Sequence, residues 1–394
     1  MEDRIVFVAA KRTPFGAFGG SFKDLTATDL AVHASKSALE SLHGEKTAID
    51  HVIFGNVLAT SADAAYLARH VALRSGLDPS VPAVTINRLC GSGFESIVQA
   101  THRIRLNESR TCLVGGTENM TQAPYVLRKA RFGYRMNHAE LEDSLMAGLS
   151  DSFTGLSMAV STENLASQYE ITRTQADEFS LRSQTLAAKA TKEGIFNEEL
   201  SPVPIRSKGK ETLVTADEHI RFDASIDSLS KLKPIFKSDG IITAGNASGM
   251  VDGASAMVVT TESVAKSRGW KVLGYWVDSF VIGCDPSLMG YGPVPACQGL
   301  FKKTGLSLDQ MNLIEINEAF SAQTLVVAKA LKIPLTKLNT HGGAVAIGHP
   351  LAASGTRLVT HLLYSLAKTG GGYGLASACI GGGQGLALIV KVGS

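Results

Sequence analysis

Asn87-Arg88-Leu89-Cys90-Gly91-Ser92-Gly93 opens an amphipathic stretch that leads to an apolar run at Leu113, and the same order returns from Ser354-Gly355 to Leu375. Leu113 stands twenty residues after Gly93 and Leu375 twenty after Gly355, so the copies are 262 residues apart. Val52-Ile53-Phe54-Gly55-Asn56 and Leu313-Ile314-Glu315-Ile316-Asn317, each behind a helical pattern, form a second pair offset by 261. Two matches that agree within one residue point to an internal duplication. Each copy alternates apolar runs of strand length with helical periodicity, the pattern of a mostly parallel sheet covered by helices. The expected fold class is α/β with two similar halves.

Residues 1–120 make the first half on this reading. Residues 121–245 are richer in polar and charged side chains, carry few strand signals and read as an inserted lobe. Within it, Thr172 with Gln175 fits a capping box that opens a helix through Phe179 and Leu186. Strand pattern resumes at Ala254-Ser255-Ala256-Met257-Val258-Val259, behind the glycine-rich Ala244 to Gly249. Residues 246–270 are therefore expected to complete the first half, and 271–394 to form the second.

The chain has 394 residues, 44% of them hydrophobic and 19% charged, enough for more than one core. Thirty-eight basic against thirty-six acidic side chains argue against nucleic acid or an anionic membrane as partner. No apolar run approaches membrane-spanning length, so no membrane insertion is expected. Five dispersed cysteines, an odd number without a C-x-x-C pair, point to a reducing compartment rather than to disulfides or zinc. Ile5 to Ala10 reads as a buried strand, so no signal peptide or Arg-rich leader is expected, and Val392-Gly393-Ser394 is not a peroxisomal address. An intracellular, soluble protein is the expectation.

Cys90 precedes what reads as a helix start, where unpaired N–H groups and the helix dipole favour thiolate and lower the pKa. The competing reading is a small buried hydrophobe. Three further polar groups lie at expected strand ends or loops: Asn317-Glu318-Ala319-Phe320, Gly348-His349-Pro350 and Cys379-Ile380-Gly381-Gly382-Gly383. Packed about a pseudo-twofold, the halves would bring Cys90 and His349 together as nucleophile and base, with Cys379 as a second acid or base. The glycines beside Cys379 leave N–H groups free for an oxyanion. Taken singly, His349 also fits a turn and Asn317 a loop cap. No phosphate-loop, dinucleotide or zinc-protease pattern occurs, and no metal site is expected. Arg128, Lys129, Arg131 and Arg135 crowd into eight residues without an acid and read as a solvated or subunit-contacting loop. Cys112, Cys284 and Cys297 read as structural.

These motifs, with Gly115-Gly116-Thr117-Glu118-Asn119-Met120 and Gly342-Gly343-Ala344, make the chain resemble the thiolase family over essentially its whole length. The resemblance implies two βαβαβαββ halves in a five-layered αβαβα core, with a loop domain at 121–245 that binds coenzyme A. It implies thiolytic cleavage of a 3-ketoacyl-CoA, as in fatty-acid β-oxidation, through an acyl-thioester on Cys90. His349 is then the base and Cys379 the acid that protonates the departing acetyl-CoA enolate. One oxyanion hole uses His349 and a water held by Asn317, the other the N–H groups of Cys90 and Gly381. Coenzyme A is a co-substrate, no cofactor is permanently bound, and Arg221 and Ser248 match positions that contact its nucleotide and pantetheine. Met158 and Met289 match residues at the thioester end.

Four positions depart from the family pattern. Ala224 stands where relatives carry a hydroxyl that helps bind coenzyme A. Ser157 replaces the histidine of acetoacetyl-CoA-specific members, and Ala352-Ala353 replace a run that often contains glycine. The resemblance further implies a homodimer or homotetramer in the mitochondrial matrix, with the cytoplasm as alternative. Other readings are a biosynthetic acetoacetyl-CoA thiolase, an acyl-CoA hydrolase and a non-catalytic acyl-CoA carrier.

Overall fold

Nine strands carry the core of the computed structural model, which describes residues 3–43, 45–207 and 209–393. Ser394, in the C-terminal tripeptide read above, lies outside them. The strands are β1 (Ile5–Arg12), β2 (His51–Gly55), β3 (Ala83–Ile86), β4 (Thr111–Glu118), β5 (Val251–Thr261), β6 (Gly274–Gly283), β7 (Met311–Ile316), β8 (Gly372–Ile380) and β9 (Gln384–Val392). They lie in the order β7-β8-β9-β6-β1-β5-β4-β2-β3. Read outward from the β1/β6 contact, the two arms match. β4 is parallel to β2 and antiparallel to β5, as β8 is parallel to β7 and antiparallel to β9. Within the sheet the arms join at Val6 opposite Tyr275 and Phe7 opposite Gly274, where the Leu273 N–H also donates to the Phe7 carbonyl.

Eight longer helices accompany them: α1 (Ala27–Glu40), α2 (Leu67–Arg74), α3 (Ser92–Arg105), α4 (Met158–Gln168), α5 (Arg173–Lys192), α6 (Pro293–Thr304), α7 (Ser321–Leu331) and α8 (Leu351–Lys368). The strands sort their side chains by the two-residue period of a pleated sheet. In β4, Leu113 packs with α1 and α2, while Cys112 and Val114 pack with α3 and α8. In β9, Leu386 and Leu388 face α3 and α8, while Ala387 and Ile389 face α6 and α7. Five layers result, with α3 and α8 enclosed between the two arms of the sheet. That enclosure explains why α8 buries fifteen of its eighteen residues.

At the centre the two enclosed helices approach closely. A Cβ on Gly93 would lie 2.5 Å from the Ala352 carbonyl oxygen, and one on Gly355 only 2.4 Å from the Phe94 nitrogen. Thr356 Oγ1 donates to the Gly93 carbonyl at 3.1 Å. The serine-glycine pairs that mark the sequence duplication are thus the contact between the copies.

Between β4 and β5 the chain leaves the core. α5 opens with the capping box expected of Thr172 and Gln175. This excursion is tied back by Arg12, which is fully buried and bonds Glu199 at 2.7 Å and Asp217 at 2.7 and 2.9 Å. Asp217 also accepts from the Phe15 N–H, and Glu199 from His361 Nδ1 on α8 at 2.9 Å. Arg128 in the basic loop pairs with Glu142, an acid beyond the eight-residue window of the sequence reading.

Candidate active site

The segment Arg88 to Ser92 turns sharply from β3 into α3. Leu89 adopts a left-handed φ of 46°, and its carbonyl accepts from Ser92 Oγ at 2.7 Å. Cys90 follows, one residue before the helix cap Gly91, and is half-buried. Burial pushes its thiol up to about 11; hydrogen bonds from the Gly381 N–H and from its own N–H pull the other way without offsetting it, and Glu118 adds a smaller upward push. The sequence expectation of a lowered pKa does not hold for the free site. Loss of hydration outweighs the helix terminus.

His349 leaves the tight turn at Gly348, whose φ of +99° excludes a Cβ that would in any case strike Val251. Its Nδ1 lies 2.6 Å from Ser354 Oγ and its Nε2 3.3 Å from Asn317 Nδ2. This network assigns the proton to Nδ1 and leaves the Nε2 lone pair facing the amide donor. Burial, reinforced by Arg357, pushes the imidazole down to about 3. Asn317 is fully buried, and its Oδ1 has no partner among the described residues.

Cys379 sits near the carboxyl end of β8 and is almost completely buried, with its pKa raised by burial and by the nearby Cys90. The glycine-rich segment at 244–249 draws these loops together. Ser248 N–H donates to the Ala319 carbonyl at 3.0 Å, and the Gly249 carbonyl accepts from His349 N–H at 2.9 Å. Two buried carboxyl groups, each with its pKa raised by burial, act as anchors. Glu118 accepts from the backbone N–H of Val57, Leu58 and Ala352 and from Asn56, while Glu318 accepts from Ser183, Asn339 and the Val345 N–H.

One cavity of about 460 Å3 is lined by Cys90, His349, Cys379 and Gly381, and also by Arg221, Ser248, Met158 and Met289. Asn317 alone of the expected site residues does not line it; it stands behind His349. Ser157 borders the cavity and caps α4 through the Val160 N–H. Ala224 lies instead in a neighbouring hollow. The arrangement offers a thiol nucleophile, a neutral base, a second thiol and backbone N–H groups around one space, the set needed for acyl transfer. Among the described residues no group of three potential metal ligands occurs, and no helix is long and apolar enough to cross a membrane.

The sequence reading missed Ser354 as the partner that orients His349, although Ser354 marked the duplication. It also missed His219, whose Nδ1 lies 3.1 Å from the Ala346 carbonyl and whose ring lines the cavity. Nothing near His219 in sequence signals that role. Glu118 stood inside a quoted motif, but its four N–H contacts come from two distant segments, 56–58 and Ala352.

The thiolase N-terminal domain matches residues 5–263 and the thiolase C-terminal domain residues 270–392. Human mitochondrial 3-ketoacyl-CoA thiolase is 49% identical over 389 residues, covering 98% of each chain. The crystal structure of that human enzyme in complex with CoA superposes with a TM-score of 0.97 at 48% identity, over 99% of this chain and 98% of the other. The acetyl-CoA acetyltransferase of Bacillus anthracis gives a TM-score of 0.96 at 40% identity, over 99% of each chain.

Proposed function

The chain belongs to the thiolase family, and on that premise we propose that it cleaves 3-ketoacyl-CoA with coenzyme A, giving acetyl-CoA and a shortened acyl-CoA. It is an acyltransferase acting in fatty-acid β-oxidation. The observation that supports this reading is a single cavity shared by Cys90, His349, Cys379 and the Gly381 N–H.

In the first half-reaction the Cys90 thiol gives its proton to His349 Nε2 as sulfur adds to the C3 carbonyl. The C2–C3 bond then breaks, and the acetyl-CoA enolate takes a proton from Cys379. The imidazolium returns its proton to the Cys379 thiolate, which leaves an acyl-thioester on Cys90 and a neutral base. In the second half-reaction His349 deprotonates coenzyme A, whose sulfur attacks the thioester. Cys90 departs as thiolate and regains the proton from His349. The N–H groups of Cys90 and Gly381 stabilise one oxyanion, and His349 with a water on Asn317 the other. A thiol nucleophile suits this exchange because the acyl group passes between sulfurs of similar leaving ability.

Arg221 holds the nucleotide of coenzyme A, Ser248 its pantetheine, and Met158 and Met289 enclose the thioester. Ser157 in place of a histidine leaves room at the pantetheine end and favours substrates longer than acetoacetyl-CoA. The enzyme works as a homodimer or homotetramer in the mitochondrial matrix, with the loop around Arg131 as a subunit contact.

Turnover of acetoacetyl-CoA and of a medium-chain 3-ketoacyl-CoA, each with and without coenzyme A, tests the reading. Coenzyme-A-dependent cleavage of the longer substrate is expected. Activity confined to the four-carbon substrate contradicts the proposed range, and free acid formed without coenzyme A contradicts thiolysis.

A further inference from the structure

Arg12 and Arg357 are the two largest fully buried side chains, and their surroundings treat them differently. Arg12 is gripped by both oxygens of Asp217, by Glu199 and by the Thr13 carbonyl. Arg357, on α8, makes one contact, from Nη1 to Glu315 Oε2 at 3.3 Å, and its Nε and Nη2 have no partner among the described residues. A cation buried with so few partners costs stability, so holding the fold does not account for it. Departures of that kind concentrate at functional sites. The position of Arg357 leads to His349. Ser354, which bonds His349 Nδ1, precedes Arg357 by three residues on the same face of α8. Glu315, on β7, precedes Asn317 by two residues, on the same face by the strand period, and the Asn317 N–H continues the ladder to the Ser377 carbonyl at 2.9 Å. The two side chains that hold the His349 ring thus have a charged pair one step deeper on the same two elements.

A charge in so dry a region acts across several ångströms, and Arg357 is the charged group that opposes protonation of the His349 ring. The other titratable groups on the cavity carry little charge at pH 7 or are screened. Burial holds Cys90 and Cys379 up and His219 down, and it holds Glu118 at about 8. Arg221, the other cation there, is exposed to solvent. On the far side, Glu315 faces Arg182 from α5, His361 from α8, and Glu318 and Glu199 from other segments. Burial raises its pKa, so its carboxyl offsets the guanidinium incompletely. We propose that Arg357 is a positioning residue for the base: its guanidinium, placed beyond Ser354 by Glu315, keeps the His349 imidazole neutral between turnovers and drives its proton on to the Cys379 thiolate. The inference rests on His349 being the base of the proposed reaction.

Two readouts test the assignment in the unaltered protein, in Arg357→Gln, in Glu315→Gln and in Arg357→Met/Glu315→Gln, which leaves no charge buried at this place should the single arginine variant fail to fold. One is the titration of the His349 ring, followed by deuterium exchange at its Cε1 with mass spectrometry. The other is kcat for thiolysis against pH, with brief exposure to acid. Without Arg357 the ring is expected to titrate about one to two pH units higher, the scale of one nearby charge, and the acid limb of kcat to rise with it while KM for coenzyme A stays nearly unchanged. Glu315→Gln breaks the same contact but keeps the cation, so the ring should titrate as before or lower. A rise in Glu315→Gln equal to that in Arg357→Gln would make the pair merely structural and overturn the assignment. No rise without Arg357, or a rise that the acid limb does not follow, overturns it too. If the unaltered protein shows no thiolysis, the proposed function fails, and the ring titration still decides whether Arg357 governs His349.

Discussion

At the scale of single residues, the free site is a neutral pair. The thiol of Cys90 is held up at about 11 and the imidazole of His349 down at about 3, each mainly by burial. Between those values neither carries charge, so a thiolate–imidazolium pair does not pre-exist and the proton moves as the carbonyl is attacked. Alkylation of Cys90 by iodoacetamide in the free protein should therefore accelerate with pH from 7 towards 11, about tenfold per unit, because only the thiolate reacts. A rate already level at pH 7 would contradict the neutral pair. Ser354 acts one bond further out, since its hydroxyl fixes the His349 ring at 2.6 Å. Ser354→Ala should lower kcat by about tenfold, the worth of one buried hydrogen bond, and leave KM for coenzyme A nearly unchanged. A fall in affinity with kcat preserved would place Ser354 in binding instead.

At the scale of elements, α3 and α8 are copies that meet through their own repeat marks. Gly93 and Gly355 let the two backbones approach, and a side chain at either would strike the other helix. Gly355→Val should cost about 3 kcal/mol or more of stability in a denaturant melt, at the upper end of overpacking effects. A loss below about 0.5 kcal/mol would show that the crossing can relax. The same pair shows what was legible in the sequence. Spacing alone revealed the duplication, because strand and helix periods are written locally, and glycine-rich loops marked Cys90, His349 and Cys379. The direction of the Cys90 pKa shift was not legible, since it depends on how much protein lies above the thiol. Nor was His219, which reaches the cavity from a loop with no periodic pattern, nor Glu118, whose donors lie up to 234 residues away.

At the scale of the whole molecule, the excursion between β4 and β5 must be held against both halves for the cavity to exist. Glu199 does this by pairing with Arg12 from β1 and His361 from α8. Burial opposes its ionisation, but His361 and Arg12 outweigh burial and hold the carboxyl at about 2. A carboxyl lowered in the folded state contributes its stability above the unfolded value near 4.5 and loses it as pH falls towards 2. Glu199→Gln should thus destabilise the protein at pH 7 by about 2–3 kcal/mol, below the cost of orphaning a buried charge because Asp217 still pairs with Arg12. The deficit should shrink as pH falls below 4.5. Equal stability of the two proteins at pH 7 would show that Asp217 alone satisfies Arg12.

The claim that joins these scales is that an acyl group rests on Cys90 between two sulfur exchanges. Mass spectrometry of the protein quenched after mixing with a medium-chain 3-ketoacyl-CoA, without free coenzyme A, tests it directly. The account predicts a mass gain equal to the substrate acyl group shortened by two carbons, located on the Cys90 peptide and discharged as acyl-CoA when coenzyme A is added. No adduct, an adduct on another residue, or discharge as free acid regardless of coenzyme A would contradict it.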